Sequence, residues 1–342
     1  MRYTVFGRTG LRVSAIGFGG IPIQRRGFQE AIAVVRRAVD LGMNYIDTAA
    51  AYTDSEAKIG AALQGRRQEV ILATKTHART KDEAAAHVAQ SLTALWTDYI
   101  EVYQLHNVSE MDDLEKRLAP DGAYAALAEA QAAGKIGHIG ITSHKPAVAC
   151  QALRTGKFAS VLIPFNLVET EAAQELLPLA RELGVAFIDM KPFCGGAFSN
   201  ARLALKYVLS AGVTLTVPGM ATVEEVEENA ALGDVEPVLT AAQQEEVRRA
   251  AAELGKTFCR RCDYCQPCAQ EIPISSVLFS PFSIKRFGLQ LWGLDHWRGL
   301  LTQAEACTEC GECLARCPYG LDIPTLIKER VAYLRDELAQ AS

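Results

Sequence analysis

The sequence has no basic surplus: 35 Lys and Arg stand against 40 Asp and Glu, a net charge of −5 over 342 residues. A protein that neutralises phosphates needs such a surplus, so nucleic-acid binding is not expected. No apolar run reaches the ~20 residues that span a bilayer, which speaks against a membrane protein. The opening MRYTVFGRTG lacks the apolar core of a signal peptide, so a cytoplasmic location is expected. Both common phosphate-cradling glycine loops are missing as well. Gly17-Phe18-Gly19-Gly20 fails G-x-G-x-x-G at Pro22, and Gly255-Lys256-Thr257 is preceded by Ala250 where a Walker loop needs glycine. Cysteine is scarce in the first 258 residues, which hold only Cys150 and Cys194, but the other eight of the ten crowd into 259–342. In a reducing compartment such a cluster points to metal binding or catalysis rather than disulfides. With 49% hydrophobic residues the chain can bury a full core.

Up to about residue 237, short β-rich runs alternate with helical ones such as Gln29–Leu41, Asp82–Leu95, Tyr124–Ala133, Glu171–Leu183 and Ala201–Ala211. Strands are predicted at Ser14–Phe18, Asn44–Asp47, Val70–Thr74, Ile100–Leu105, His138–Thr142, Ser160–Pro164, Ala186–Met190 and Val213–Val217. Several are continuous apolar runs, as expected of parallel strands covered on both faces. Eight β-α units of this size predict an α/β (β/α)8 TIM barrel. RYTVFGRTGLRVS reads as a hairpin below the barrel, turning at Gly7–Gly10. Thr53 with Glu56 reads as a capping box, and Gly42, Gly134, Gly184 and Gly212 fall where helices should stop. Residues 238–258 read as a linking helix, and 259–342 as a separate metal-bearing domain.

In TIM barrels chemistry sits at the C-terminal strand ends. Those ends offer Asp47, with Tyr52 in the loop after it, then Lys75 and His106. A phenol has a reference pKa of ~10 and is a poor acid near neutrality. A neighbouring ammonium favours the phenolate, and a carboxylate keeps that ammonium charged and oriented. A histidine alongside can hydrogen-bond a carbonyl oxygen. Such a group could protonate a carbonyl as hydride arrives, a proton transfer worth about 10²–10⁴ in rate. Each side chain alone has an ordinary explanation, such as a rim ion pair; the four together on consecutive strand ends favour chemistry.

The segments VFGRTGLRVSAIGFGG, GMNYIDTAAAYTDSE, ILATKT, DYIEVYQLHN, IGHIGITSH and VPGMATVEEVEEN resemble the aldo-keto reductase family, in family order over 1–235. The resemblance implies a carbonyl/alcohol oxidoreductase using NAD(H) or NADP(H), with Asp47, Tyr52, Lys75 and His106 as the catalytic tetrad and Tyr52 as acid–base. It places the nicotinamide carboxamide on Ser143 and His144 and the adenine on Glu228 and Asn229. Other positions depart from the family pattern: Leu162 stands for a glutamine and Met190 for the aromatic stacked on nicotinamide. Gly219 and Glu225 stand where a lysine and an arginine would hold a 2′-phosphate. A carboxylate there repels phosphate and accepts ribose hydroxyls, so NADH is favoured.

The cysteines form two groups, Cys259-x₂-Cys262-x₂-Cys265-x₂-Cys268 and Cys307-x₂-Cys310-x₂-Cys313-x₃-Cys317-Pro318. The second matches the bacterial ferredoxin run, in which three close thiolates hold one [4Fe–4S] cube and the fourth commonly ligates another. Zinc is the weaker alternative, since its sites use separated C-x₂-C pairs. Each group is followed by Ile-Pro, Ile272-Pro273 and Ile323-Pro324, as in a duplicated unit. The 38 intervening residues between Cys268 and Cys307 make the segment resemble a mostly α-helical two-cluster ferredoxin-like domain. The whole chain is similar to the iron–sulfur fusion branch of the aldo-keto reductases.

The expected activity is interconversion of a small-molecule carbonyl and alcohol, with two [4Fe–4S] clusters exchanging electrons with an external carrier such as ferredoxin. Hydride moves two electrons while each cluster moves one, and no flavin site is evident. Two alternatives therefore stay open: acid–base or radical chemistry without nicotinamide, fed by the clusters, or an electron carrier or redox sensor with a vestigial barrel.

Overall fold

The structure, a computed structural model, describes residues 1–290 and 292–341, with the side chains of Arg286 and Phe287 outside that description. The chain separates into two compact units, Met1–Cys194 with Phe198–Thr240, and Ala241–Ser342 with Gly195–Ala197.

The first unit opens on an antiparallel hairpin, β1 (Tyr3–Val5) and β2 (Arg12–Ser14). Eight parallel strands follow: β3 (Phe18–Gly19), β4 (Tyr45–Asp47), β5 (Ile71–Thr76), β6 (Ile100–Leu105), β7 (Ile136–Thr142), β8 (Ser160–Pro164), β9 (Ala186–Met190) and β10 (Leu215–Val217). Each pairs with the next in chain order, and bridges at Ile16–Thr216 and Gly19–Gly219 join the two ends. The helices between them are α1 (Phe28–Asp40), α2 (Ser55–Ala62), α3 (Lys81–Ala94), α4 (Met111–Leu118), α5 (Ala123–Ala132), α6 (Pro146–Arg154), α7 (Leu176–Glu182), α8 (Ala201–Ser210) and α9 (Val223–Ala230). This is the TIM barrel.

The glycines of GFGG serve this closure. A Cβ on Gly19 would lie 2.7 Å from the Pro218 carbonyl oxygen, and one on Gly17 2.8 Å from that of Tyr45, distances only glycine accommodates. Inside the barrel, Phe6, Tyr45, Ile71, Val102, Ile188 and Leu215 form a buried apolar layer. Phe6 lies in the hairpin turn and stacks on Tyr45, centroids 5.5 Å apart, so the hairpin plugs the lower end. Because strand side chains alternate, the residues two positions beyond Tyr45, Ala73 and Val102 also face inward. Those residues are Asp47, Lys75 and Gln104.

Two local expectations are corrected. Thr53 and Glu56 form no capping box: Asp54 precedes α2 without a side-chain cap, Thr53 is left-handed at φ 43°, and Glu56 turns inward to accept from Thr74 Oγ1 at 2.6 Å. The capping box lies at Thr80 and Glu83, opening α3. The helix expected over Glu171–Leu183 breaks into a 3₁₀ turn, Glu171–Ala173, and the short α7. Pro178 is tolerated only in a first helical turn, where its missing N–H is not needed.

The second unit is helical: α10 (Ala241–Leu254), α11 (Ile274–Phe287), α12 (Leu294–Glu305), α13 (Glu312–Arg316) and α14 (Ile323–Gln340). Both Ile-Pro pairs lead into a long helix, α11 and α14, consistent with a duplicated unit. Its core includes Val277, Leu278, Trp297, Leu300, Leu326 and Leu334, and the Trp297 indole donates to the Leu289 carbonyl at 3.0 Å. Among the described residues, no helix is long and apolar enough to cross a membrane.

Candidate active site and cysteine centres

At the upper mouth of the barrel the four predicted catalytic residues come together. Lys75 Nζ donates to Asp47 Oδ2 at 2.7 Å and to the Thr48 carbonyl at 2.6 Å. Gln104 Nε2 donates to the other Asp47 oxygen at 3.2 Å. The ammonium lies 5.0 Å from the centre of the Tyr52 ring, and the Tyr52 and His106 rings meet edge-on at 5.7 Å. Burial alone would lower the Lys75 pKa, but Asp47 and then Tyr52 outweigh it and hold it above the usual value. Burial raises that of Asp47, opposed by Lys75 and Gln104. The pair is a buried ion pair with the ammonium firmly charged. His106 is pushed well below the usual imidazole range by burial, then by Lys75, His77 and Arg117, all of which disfavour its protonated form.

The residues assigned to a nicotinamide by resemblance are more dispersed. Ser143 is buried at the end of β7, and its hydroxyl contacts the Lys145 carbonyl at 3.2 Å. His144 is exposed; its Nδ1 pairs with Asn107 Oδ1 at 2.9 Å and its Nε2 with Lys191 Nζ at 2.8 Å. Leu162 and Met190 belong to the apolar barrel interior. Gly219 lies at the β3–β10 seam. On α9, Glu225 is exposed and accepts from the Ala221 N–H at 2.6 Å, Glu228 is exposed, and Asn229 is buried. A hydroxyl and an imidazole after β7, with apolar side chains below, are a donor set that suits a carboxamide-bearing ring.

Sequence reasoning did not find Gln104, His77, Arg117 or Lys191. Lys191 and Asn107 are left-handed, at φ 64° and 54°, and residues with side chains occupy that region at a cost seen often at functional sites. No spacing rule marks them.

In the second unit the thiols gather by group. Burial pushes Cys259 up to about 11, opposed by the Arg261 N–H and guanidinium. Burial and then Cys259, Asp263 and Cys262 push Cys265 up to about 12. Cys313, raised by burial, also feels Cys307, Cys310 and Cys268. Cys268 thus faces the second group although it belongs to the first in sequence. Cys265, Cys268, Cys307, Cys310 and Cys313 line one hollow of ≈ 400 Å³, open solvent at its mouth included, with apolar Ile272, Ile274 and Ile327. Thiols in an apolar lining are the donor chemistry that an iron–sulfur cube takes, and binding one would strip protons from these thiols. Cys150 and Cys194 are buried in the first unit.

The pattern of the aldo/keto reductase family matches residues 15–203, more than half of the chain. The chain belongs to that family. A 4Fe-4S dicluster domain matches residues 258–321, so this is an aldo-keto reductase-type oxidoreductase carrying an iron–sulfur domain. It is 30% identical over 217 residues to the uncharacterized oxidoreductase YqkF of Bacillus subtilis, covering 59% of this chain and 68% of that protein. The holo form of aldo-keto reductase AKR11C1 from Bacillus halodurans superposes with a TM-score of 0.65 at 26% identity, over 73% of this chain and 96% of that one. An aldo/keto reductase from Klebsiella pneumoniae, solved with NADP and acetate, shares the fold at a TM-score of 0.62 and 24% identity, over 73% and 96% of the two chains.

Proposed function

We propose that this enzyme interconverts a small-molecule carbonyl and its alcohol, with NADH favoured over NADPH, and that two [4Fe–4S] clusters exchange single electrons with an external carrier such as a ferredoxin. The observation that carries the reading is the buried Lys75–Asp47 pair at 2.7 Å with the Tyr52 ring over its ammonium. In the reducing direction Tyr52 gives its proton to the carbonyl oxygen, and in the oxidising direction it takes the proton back. Lys75 stabilises the phenolate left behind, Asp47 holds Lys75, and neutral His106 donates a hydrogen bond that orients the substrate oxygen. A nicotinamide, when bound, supplies or accepts the hydride. Ser143, His144, Gly219, Glu225, Glu228 and Asn229 would hold it, and the Glu225 carboxylate disfavours a 2′-phosphate. Cys307, Cys310, Cys313 and Cys268 would hold one cluster, and Cys259, Cys262, Cys265 and Cys317 the other.

A second reading, acid–base chemistry without nicotinamide, draws support from one contact. Lys191 engages Nε2 of His144, a residue that the resemblance assigns to the carboxamide. Anaerobic titration with NADH, followed by absorbance and electron paramagnetic resonance, separates the two. Binding with cluster reduction supports the coupled reading, binding without reduction leaves only the carbonyl chemistry, and no binding favours the second reading.

A further inference from the structure

His106 is half-buried, beside the fully buried Asp47 and Lys75. The His77 ring stacks on it with centroids 3.9 Å apart and 20° between planes. From α4, Arg117 reaches beneath it, and Nη1 donates to the His106 carbonyl at 3.3 Å. Arg117 is only 3% exposed. It is paired to Asp113 at 2.9 Å, and Asp113 also holds Arg79 at 2.7 Å. Two buried atoms here lack a partner among the described residues, His106 Nδ1 and Arg117 Nε. An arginine stays charged in any protein, and burying it is costly unless it is well paired. Arg117 shares its one carboxylate with Arg79 and leaves a donor unpaired, a poor arrangement if its only task were to attach a surface helix.

We propose that Arg117 is a positioning residue that keeps His106 a neutral hydrogen-bond donor toward the substrate oxygen, while His77 fixes the plane of the ring. The inference rests on the tetrad reading above. The groups facing His106 are Lys75 from β5, His77 just beyond β5, Arg117 from α4 and the Tyr52 phenol from the loop after β4. A second proton on the ring would stand against the Lys75 and Arg117 cations at once. The nearby carboxylates are engaged elsewhere, Asp47 by Lys75 and Asp113 by Arg117 and Arg79. His77 is itself lowered, by burial and then by Arg117 and Lys75, so the stack carries little charge of its own. The consequence is a division of labour. A neutral His106 can orient the oxygen without surrendering a proton, which leaves proton delivery to Tyr52.

Nitrogen NMR of the histidine rings in the full, cluster-loaded protein tests this without a substrate. The chain has six histidines, and the signal lost in His106→Asn identifies the ring. In the wild type it stays neutral from about pH 8 down to about pH 5, the range in which histidine ordinarily titrates. In Arg117→Met it protonates with a midpoint inside that range, about one unit or more above the wild type, as expected on losing a like charge at close range. Arg117→Lys keeps the ring neutral. Asp113→Asn, which loosens the same contact but leaves the cation, also keeps it neutral. An unmoved ring in Arg117→Met overturns the proposal. So does an upward shift in Asp113→Asn equal to that in Arg117→Met, because packing rather than charge would then be responsible. If Arg117→Met does not fold, Arg117→Gln takes its place. Failure of the tetrad reading is seen separately, as undiminished turnover in Tyr52→Phe with the His106 titration unchanged.

Discussion

Lys75 Nζ lies 2.7 Å from Asp47 Oδ2, with the two side chains 1% and 8% exposed. Breaking a buried pair by removing one partner typically costs about 3–5 kcal/mol, whereas replacing both with apolar groups is far less harmful. Asp47→Asn and Lys75→Met should each destabilise strongly, and Asp47→Leu/Lys75→Met should recover much of the loss in thermal melts. The pH dependence follows from the raised Lys75 pKa. The stabilisation from Lys75 is complete below the unfolded value of ~10.4 and is lost as pH rises through the higher folded value. The wild type should therefore lose this advantage over the double variant above about pH 10.4 and keep it near neutrality.

Tyr52→Phe removes the hydroxyl and keeps the ring over Lys75. Turnover with a panel of small aldehydes and ketones should fall by about 10²–10⁴, with iron content and the cluster spectrum unaltered. Undiminished turnover would rule out Tyr52 as the proton donor.

NADH should bind more tightly than NADPH, and Glu225→Arg should narrow or reverse the difference. Two dissociation constants per variant are sufficient. Tighter NADPH binding by the wild type would remove the proposed role of Glu225.

Cys268→Ala should damage the cluster proposed for Cys307, Cys310 and Cys313 rather than the one proposed for its own sequence neighbours. Mössbauer and electron paramagnetic resonance spectra of Cys268→Ala and Cys262→Ala should thus show losses from different clusters. Identical losses would contradict the crossed assignment.

Thr80 caps α3, and Thr80→Ala should cost ~1 kcal/mol in urea unfolding. Thr53→Ala should cost less, because Thr53 makes no such cap.

That contrast marks what sequence reveals and what it does not. Most strands were legible because short β-rich, largely apolar runs are local signals; Ile100–Leu105, Ser160–Pro164 and Ala186–Met190 match to the residue, whereas the strand expected over Ser14–Phe18 is reduced to Phe18–Gly19. Gly42, Gly134, Gly184 and Gly212 all take positive φ, as helix stops require. The tetrad was legible because topology alone brings successive strand ends to one mouth. Thr53–Glu56 has the same spacing as a true capping box, but the tertiary pull of Thr74 on Glu56 overrides it. Gln104, His77 and Arg117 were hidden for a related reason. They act through contacts across elements, and Arg117 reaches His106 from eleven residues away. Cys268 likewise faces its partners only once the two halves of the cysteine domain have folded together.

The hairpin below the barrel has one more effect. With Phe6 stopping the lower end and an apolar layer above it, the Lys75 ammonium is closed off on the hairpin side, and it faces the mouth that a substrate itself would fill. A seated substrate is then a cork in a blind tube. Protons handled by Tyr52 and Lys75 would stay inside until the product leaves, and the solvent outside would have no part in the exchange.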